Sequence, residues 1–303
     1  MRLRGIIPVL ATPFRVDESI DEGNLRREVD FCVEHGAAAL CAPAFGSEYY
    51  KLSDQERLDV ARIVVDQCKR RIPVVVNAGS AGVHPTLEFC ARAESFGADA
   101  LMIAVPRAVP LGGSELLAFF EQVFKGVKLP AMIQDVDFTG SGLPASLVVE
   151  LYKRCPNLQA VKLENPMPGA KCKEIIQLTG AKVNVFYGWA GLRFFDGMAH
   201  GASGFMPGGG SVDIYATIVR LYDSGRVDEA KDLFGRLLPY IAFALEHLEL
   251  LLSMEKRILV KRGVFPSARM REPTLHLDRE YEEQADEMAN LVVKLSQELP
   301  ALA

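Results

Sequence analysis

Leu158-Gln159-Ala160-Val161-Lys162-Leu163-Glu164 is an apolar run of strand length with one lysine inside it, and an amphipathic segment of helical period follows. The same succession of apolar run, turn signal and 3.6-period segment recurs along the chain. The strand-like runs are residues 5–13, 38–44, 72–78, 98–106, 129–136, 158–164, 183–188 and 203–208. They are apolar at nearly every position, as strands are when helices cover both faces of a parallel sheet. Eight βα alternations are the number that closes a (β/α)8 TIM barrel. No G-x-G-x-x-G follows the first run, so a doubly wound dinucleotide-binding sheet lacks its fingerprint.

Helix signals fit between the runs. One helix follows Ile20-Asp21-Glu22, another opens on the capping-box pattern Ser53-Asp54-Gln55-Glu56, and a third begins near Ser114 with Glu115 just inside it. After the eighth run and its helix at 213–224, the pattern is helical from Val227 onward, with a break at 263–273 and a last amphipathic helix at 279–298. The expected organisation is a barrel over 1–225 and a C-terminal helical extension over 226–303, packed on the barrel or on a neighbouring subunit. No internal repeat beyond the βα period and no low-complexity segment is evident.

The 303 residues are 49% hydrophobic and 24% charged with a net charge of -5, a composition that supports a large core and gives a nucleic-acid backbone no basic patch to meet. The start, Met1 to Pro8, has neither the apolar region nor the cleavage site of a signal peptide. No apolar run approaches the roughly 18 residues of a membrane span. A cytoplasmic protein without a membrane partner is expected. The six cysteines (Cys32, Cys41, Cys68, Cys90, Cys155, Cys172) are scattered without a C-x-x-C pair, and no histidine cluster has metal-ligand spacing. They read as reduced, buried thiols, and neither a metal nor an organic cofactor is implied.

Barrel enzymes work at the C-terminal ends of their strands, so polar residues there carry the chemistry. A period of two puts Ala160, Lys162 and Glu164 on one face of the sixth run and Val161 and Leu163 on the other, which suits the barrel–helix interface. Lys162 therefore points into the barrel mouth. An ammonium group there costs several kcal/mol unless it is paired or deprotonated, and a deprotonated lysine is an amine nucleophile. A purely structural Lys162–Glu164 pair satisfies the same pattern. After the second run, Phe45, Gly46, Ser47 and Glu48 form a loop in which small residues let backbone N–H groups converge on a carboxylate, although an ordinary turn looks similar. Gln134, inward on the fifth run, can bond a polar ligand or satisfy local backbone. The seventh run ends in Gly188, and the eighth carries Met206 into Gly208-Gly209-Gly210, where missing side chains leave room for substrate or simply permit turns. Gly188 and Met206 count as candidate substrate-binding residues. Trp189, His84, His200 and His247 have no partner pattern and read as packing or surface.

Four segments together resemble one family: the opening Gly5-Ile6-Ile7-Pro8-Val9-Leu10-Ala11-Thr12-Pro13-Phe14, the turn at Gly36, Ile72-Pro73-Val74-Val75-Val76-Asn77-Ala78-Gly79, and Val161-Lys162-Leu163-Glu164. The chain resembles the class I aldolases grouped with dihydrodipicolinate synthase and N-acetylneuraminate lyase, over essentially its whole length. The resemblance implies that Lys162 forms an imine with a 2-oxo acid such as pyruvate, that the loop of Phe45 to Glu48 holds its carboxylate, and that the chain assembles as a homotetramer. Departures accompany the match. The family's two loop threonines fall on Phe45 and Gly46, its strand 5 tyrosine on Gln134, its tyrosine pair after strand 4 on Arg107 and Ala108, and an arginine is missing near Phe138-Thr139. The hydroxyl relay of a true dihydrodipicolinate synthase cannot be built from these residues. Gln134, the run Gly46-Ser47-Glu48-Tyr49-Tyr50-Lys51-Leu52-Ser53 and the K-x-E of the sixth run look more like the 2-keto-3-deoxy-L-arabonate dehydratase branch. That likeness implies a Schiff-base lyase that dehydrates a 2-keto-3-deoxy sugar acid, with Glu164 and Glu48, or a water they hold, as candidates for the proton transfer. Two alternatives stay open: a pyruvate-dependent aldolase, and a non-catalytic barrel that binds 2-oxo acids.

Overall fold

The structure is a computed structural model that describes residues 3–106, 108–137, 140 and 142–299; Arg107, Phe138 and Thr139 lie outside the described residues. In chain order the first elements are β1 (Gly5–Ile6), α1 (Glu22–Glu34), β2 (Leu40–Ala42), α2 (Asp54–Cys68), β3 (Val74–Asn77), α3 (Val83–Phe96), β4 (Ala100–Ala104) and α4 (Gly113–Lys125). They are followed by β5 (Ala131–Val136), α5 (Ala145–Arg154), β6 (Leu158–Glu164), α6 (Gly169–Leu178), β7 (Asn184–Tyr187), α7 (Phe194–Ala199), β8 (Gly204–Phe205) and α8 (Val212–Asp223). Three further helices complete the chain: α9 (Val227–Ala244), α10 (Leu248–Lys261) and α11 (Arg279–Gln297). Sheet order is β1-β8-β7-β6-β5-β4-β3-β2, the topology of a (β/α)8 barrel, as the alternation predicts. Among the described residues no helix is long and apolar enough to cross a membrane.

The expected run at 158–164 coincides with β6, which contains neither proline nor glycine. The expected run at 5–13 shrinks to the two residues of β1, because Pro8 and Pro13 have no N–H to donate to a ladder. Helix starts follow their sequence signals. Asp21 caps α1 through Asn24 N at 3.1 Å. Ser53 and Glu56 close a reciprocal capping box on α2 at 3.2 and 2.9 Å, a device worth about 1 kcal/mol.

The chain divides into two compact units, Met1–Arg4 with Pro73–Met206 and Gly5–Ile72 with Pro207–Ala303. In the first, β3 to β8 run parallel and in sequence order, with Gln134 aligned on Lys162, Val136 on Glu164, and Lys162 on Phe186. Laterally aligned residues of a parallel sheet face the same way, so Gln134 and Lys162 share the face opposite Val161, Leu163 and Asp135. On that opposite face Asp135 is fully buried; it accepts from Leu143 N at 2.9 Å and Asn165 Nδ2 at 3.0 Å and pairs with Lys171 at 2.7 Å. This fixes both ends of the loop that leaves β5.

In the second unit the end of α10 is tied to the first turn of α8 and to the turn before it. Arg262 grips Asp213 with two nitrogens, at 2.8 and 2.6 Å, and donates to Gly210 O at 2.8 Å. Leu259, Val264 and Phe265 form a buried cluster with Ala11, beneath Phe31 and Val260.

Candidate active site

The first unit gathers three of the expected residues. Lys162, Glu164 and Gln134 are 3%, 8% and 0% exposed. The Lys162 amine lies 2.9 Å from Glu164 Oε1, and Gln134 Nε2 donates to Glu164 Oε2 at 2.6 Å. A third donor, the backbone N–H of Trp189, reaches Glu164 Oε1 at 3.4 Å. Trp189 and Ala190 achieve this with φ of 53° and 48°, a left-handed stretch that side-chain-bearing residues adopt at a cost of about 1–2 kcal/mol each. Such strain persists where surrounding structure demands it. The carboxylate is thus clamped beside the amine by an amide and a backbone donor, a geometry in which a proton can pass directly between Lys162 and Glu164.

Gly188 explains its own identity. A Cβ at this position would run into the Glu164 carboxylate and carboxylate stem. Its missing side chain makes room for Glu164. Met206 is 2% exposed, and its N–H donates to Tyr187 O at 2.8 Å.

In the second unit, Phe45–Ser47 form a single 3-10 turn and Glu48 follows with φ 55°. Gly46 is required by close approach, since a Cβ there would lie 2.8 Å from Val9 Cγ1. Ser47 is committed to the protein itself: its hydroxyl accepts from Ala44 N at 3.0 Å and donates to Leu10 O at 2.5 Å, and its carbonyl accepts from Thr12 Oγ1 at 2.7 Å. The N–H groups of Ser47 and Glu48 close the turn on Ala44 O and Phe45 O at 2.8 and 3.0 Å. The donors this loop can still offer an anion are the N–H groups of Phe45 and Gly46.

Glu48 is fully buried between two lysines, Lys256 at 2.5 Å and Lys51 at 3.0 Å. Lys51 also pairs with Glu249 at 2.5 Å, and Tyr50 bonds the same carboxylate. Lys256 donates to Arg269 O at 2.7 Å and sits 4.3 Å from the centre of the Phe14 ring. A helix of the C-terminal extension therefore holds the carboxylate that ends the strand 2 loop. Sequence reasoning found Glu48 and missed Lys256, which carries no motif.

The glycine run Gly208-Gly209-Gly210 faces two further buried acids. A Cβ on Gly208 would strike the Glu255 carboxylate, and one on Gly209 would lie 2.7 Å from Glu28 Oε1. Glu255 accepts from Tyr240 Oη at 2.6 Å and Gly210 N at 3.0 Å, and Glu28 accepts from Ala11 N at 3.0 Å. Burial pushes both carboxyls above their ordinary pKa, Glu28 well above it. All six cysteines are buried and none forms a disulfide, and among the described residues no group of histidine, cysteine, aspartate and glutamate side chains could hold a metal ion.

A parallel eight-stranded barrel with a buried lysine on β6 beside a glutamate two residues on can be set beside known proteins. Residues 2–291 match the dihydrodipicolinate synthetase family. The chain belongs to that family. It is 29% identical over 291 residues to the L-2-keto-3-deoxyarabonate dehydratase of Azospirillum brasilense, covering 91% of each chain. It is 30% identical over 238 residues to the 4-hydroxy-tetrahydrodipicolinate synthase of Geotalea uraniireducens, covering 78% of this chain and 81% of the other. The crystal structure of YagE, a prophage protein of Escherichia coli K12 in complex with pyruvate, superposes with a TM-score of 0.88 at 23% identity over 97% of this chain and 99% of that one. The two curated relatives carry dehydratase and synthase names, and the family resemblance read from the four segments of the sequence holds.

Proposed function

We propose that the chain is a Schiff-base lyase that dehydrates a 2-keto-3-deoxy sugar acid, with Lys162 as nucleophile and Glu164 as its proton partner. The observation that carries this reading is the clamp on Glu164: Gln134 and the Trp189 N–H hold a carboxylate within 2.9 Å of the amine at the position where the family's tyrosine hydroxyl is absent. Glu164 takes one proton from the Lys162 ammonium, the freed Nζ attacks C2 of the 2-oxo acid, a second N–H proton moves to the former carbonyl oxygen to give the carbinolamine, and the proton held by Glu164 passes to that hydroxyl, which leaves as water. The iminium then draws electrons from C3. Glu164 takes the C3 proton to give an enamine and returns it to the C4 hydroxyl, which leaves as water as the enamine electrons form the C3–C4 double bond; hydrolysis of the resulting iminium frees Lys162 and the dehydrated oxo acid.

The likeness to the Azospirillum dehydratase supports dehydration over retro-aldol cleavage. Gly188 and Met206 are assigned to the pocket wall, and the substrate carboxylate to the loop of Phe45, Gly46, Ser47 and Glu48, on the resemblance. A cytoplasmic homotetramer belongs to the same proposal and is checked by light scattering on the purified chain.

The test is intact-mass measurement after borohydride reduction with pyruvate and, separately, with 2-keto-3-deoxy-L-arabonate. The expected result is an adduct in the wild-type chain that is absent from Lys162→Ala, with the sugar-acid adduct lighter by one water. An adduct that has instead lost a carbon fragment identifies an aldolase. No adduct with either compound leaves the binding-protein reading.

A further inference from the structure

Asn77 ends β3 and is 1% exposed, yet neither its amide nitrogen nor its carbonyl oxygen has a hydrogen-bond partner among the described residues. The carbonyl oxygen of Gln134 is in the same condition. Its orientation is not arbitrary, because the Glu164 carboxylate accepts from Gln134 Nε2 and so turns Oε1 away. Buried amides without partners are rare in folded proteins and destabilise them, and they persist where something other than folding uses them.

Strand register puts the two amides on one face. Asn77 aligns with Met102, Met102 with Met132, and Met132 with Ala160, which precedes Lys162 by one inward position. The next position on this face of the β3 segment is Gly79, so Asn77 is the last side chain that β3 presents there. A Cβ on Gly79 would lie 3.0 Å from Ala104 N, which closes that position to any larger residue.

We propose that Asn77, together with the Gln134 carbonyl, is a specificity-determining pair that binds hydroxyl groups on the substrate carbons beyond the imine; the inference rests on the sugar-acid lyase reading above. An amide offers one donor group and one acceptor, and a hydroxyl needs both. Pyruvate, without hydroxyls, leaves the pair unsatisfied. A second carboxylate on the substrate, which only accepts, would find one donor and two opposing carbonyl oxygens. The chemistry therefore selects a neutral polyhydroxylated tail over a dicarboxylic acid, as sites built to bond a hydroxyl reject analogues that lack it.

The experiment compares wild type with Asn77→Leu, and with Asn77→Ser should the leucine variant fail to fold. It measures kcat/KM on 2-keto-3-deoxy-L-arabonate, the yield of borohydride-trapped pyruvate adduct, and Tm. The expected result is a loss of about tenfold or more in kcat/KM, carried mainly by KM, with pyruvate trapping unchanged. Tm should hold or rise in Asn77→Leu, because an unpartnered amide is replaced by an apolar side chain of similar size. Adduct formation in wild type with kcat/KM unchanged within about threefold in the variants overturns this inference alone. Pyruvate trapping that falls in parallel with kcat/KM also overturns it, placing Asn77 at the imine instead. If wild type forms no adduct with either compound, the lyase reading fails and takes the inference with it.

Discussion

Lys256→Met tests the tie between the C-terminal helices and the strand 2 loop. Lys256 Nζ and Glu48 Oε1 are 2.5 Å apart, with side chains 1% and 0% exposed. Coulomb attraction at that distance is about 7 kcal/mol for an effective dielectric near 20. Desolvation opposes it. Burial lowers the pKa of Lys256 more than Glu48 raises it, so the ammonium gains nothing net from its site. The variant's main loss is therefore the abandonment of a buried Glu48, typically about 3–5 kcal/mol. Lys51 remains at 3.0 Å and shares the load, which brings the expectation to roughly 2–3 kcal/mol, since methionine keeps most of the apolar stem. For a chain of 303 residues that is a fall of roughly 3–5 °C in Tm. Urea unfolding of Lys256→Met, Glu48→Gln and the double variant isolates the pair. The double variant should be more stable than Lys256→Met by about 1 kcal/mol or more, because no buried charge is left without its partner. A single-variant loss below about 1 kcal/mol, or a double variant no better than the single, would refute the idea that this ion pair anchors the loop.

Arg271, bonded to Glu56 at 2.5 and 3.0 Å, holds the Glu56 carboxyl down to about 2 from 4.5. A depressed carboxylate stabilises fully above its ordinary pKa and loses that contribution as pH falls toward about 2. With the side chain 29% exposed, solvent screening reduces the gain to about 1–2 kcal/mol. Glu56→Gln should thus be less stable than wild type at pH 7 and indistinguishable from it below about pH 2; an equal deficit at both ends would contradict the ion-pair origin. Gly188→Ala should push Glu164 away from Lys162 and lower kcat by roughly a hundredfold, the scale of an ångström-level misplacement. Shortening the acid in Gly188→Ala/Glu164→Asp should recover part of it, and steady-state kinetics showing no recovery would mean that Gly188 acts through the backbone instead.

The sequence made the barrel legible because its strands are apolar on both faces and because α1 and α2 open on the side-chain caps Asp21 and Ser53. It made Lys162, Glu164 and Gln134 legible because a period of two places them inward and polar residues there stand out. What it could not show are properties of the assembled chain. The left-handed conformation of Trp189, which aims a backbone N–H at Glu164, is imposed on a residue that does not favour it. Lys256 reaches Glu48 from a helix near the other end of the chain, with no local pattern to mark it. Asn77 sits inside a segment read correctly as a strand, but periodicity says which way an amide points and not whether anything answers it. Ser47, which looks like a ligand-binding hydroxyl, bonds Ala44 and Leu10. The glycines after β8, read as open space or turns, accommodate acids from α1 and α10.

That last arrangement occurs three times: Glu164 lies against Gly188, Glu255 against Gly208, and Glu28 against Gly209. Each acid reaches its place only because the residue opposite has no side chain, and each glycine stays unfilled only while the acid opposite is long. Neither partner can be exchanged first without either a collision or a void. Divergence at these positions must therefore proceed by paired change, with the acid shortened before the glycine is filled. Shuffling segments between relatives at a point that separates the two members of a pair would yield chains that inherit one half of a lock and the wrong half of its key.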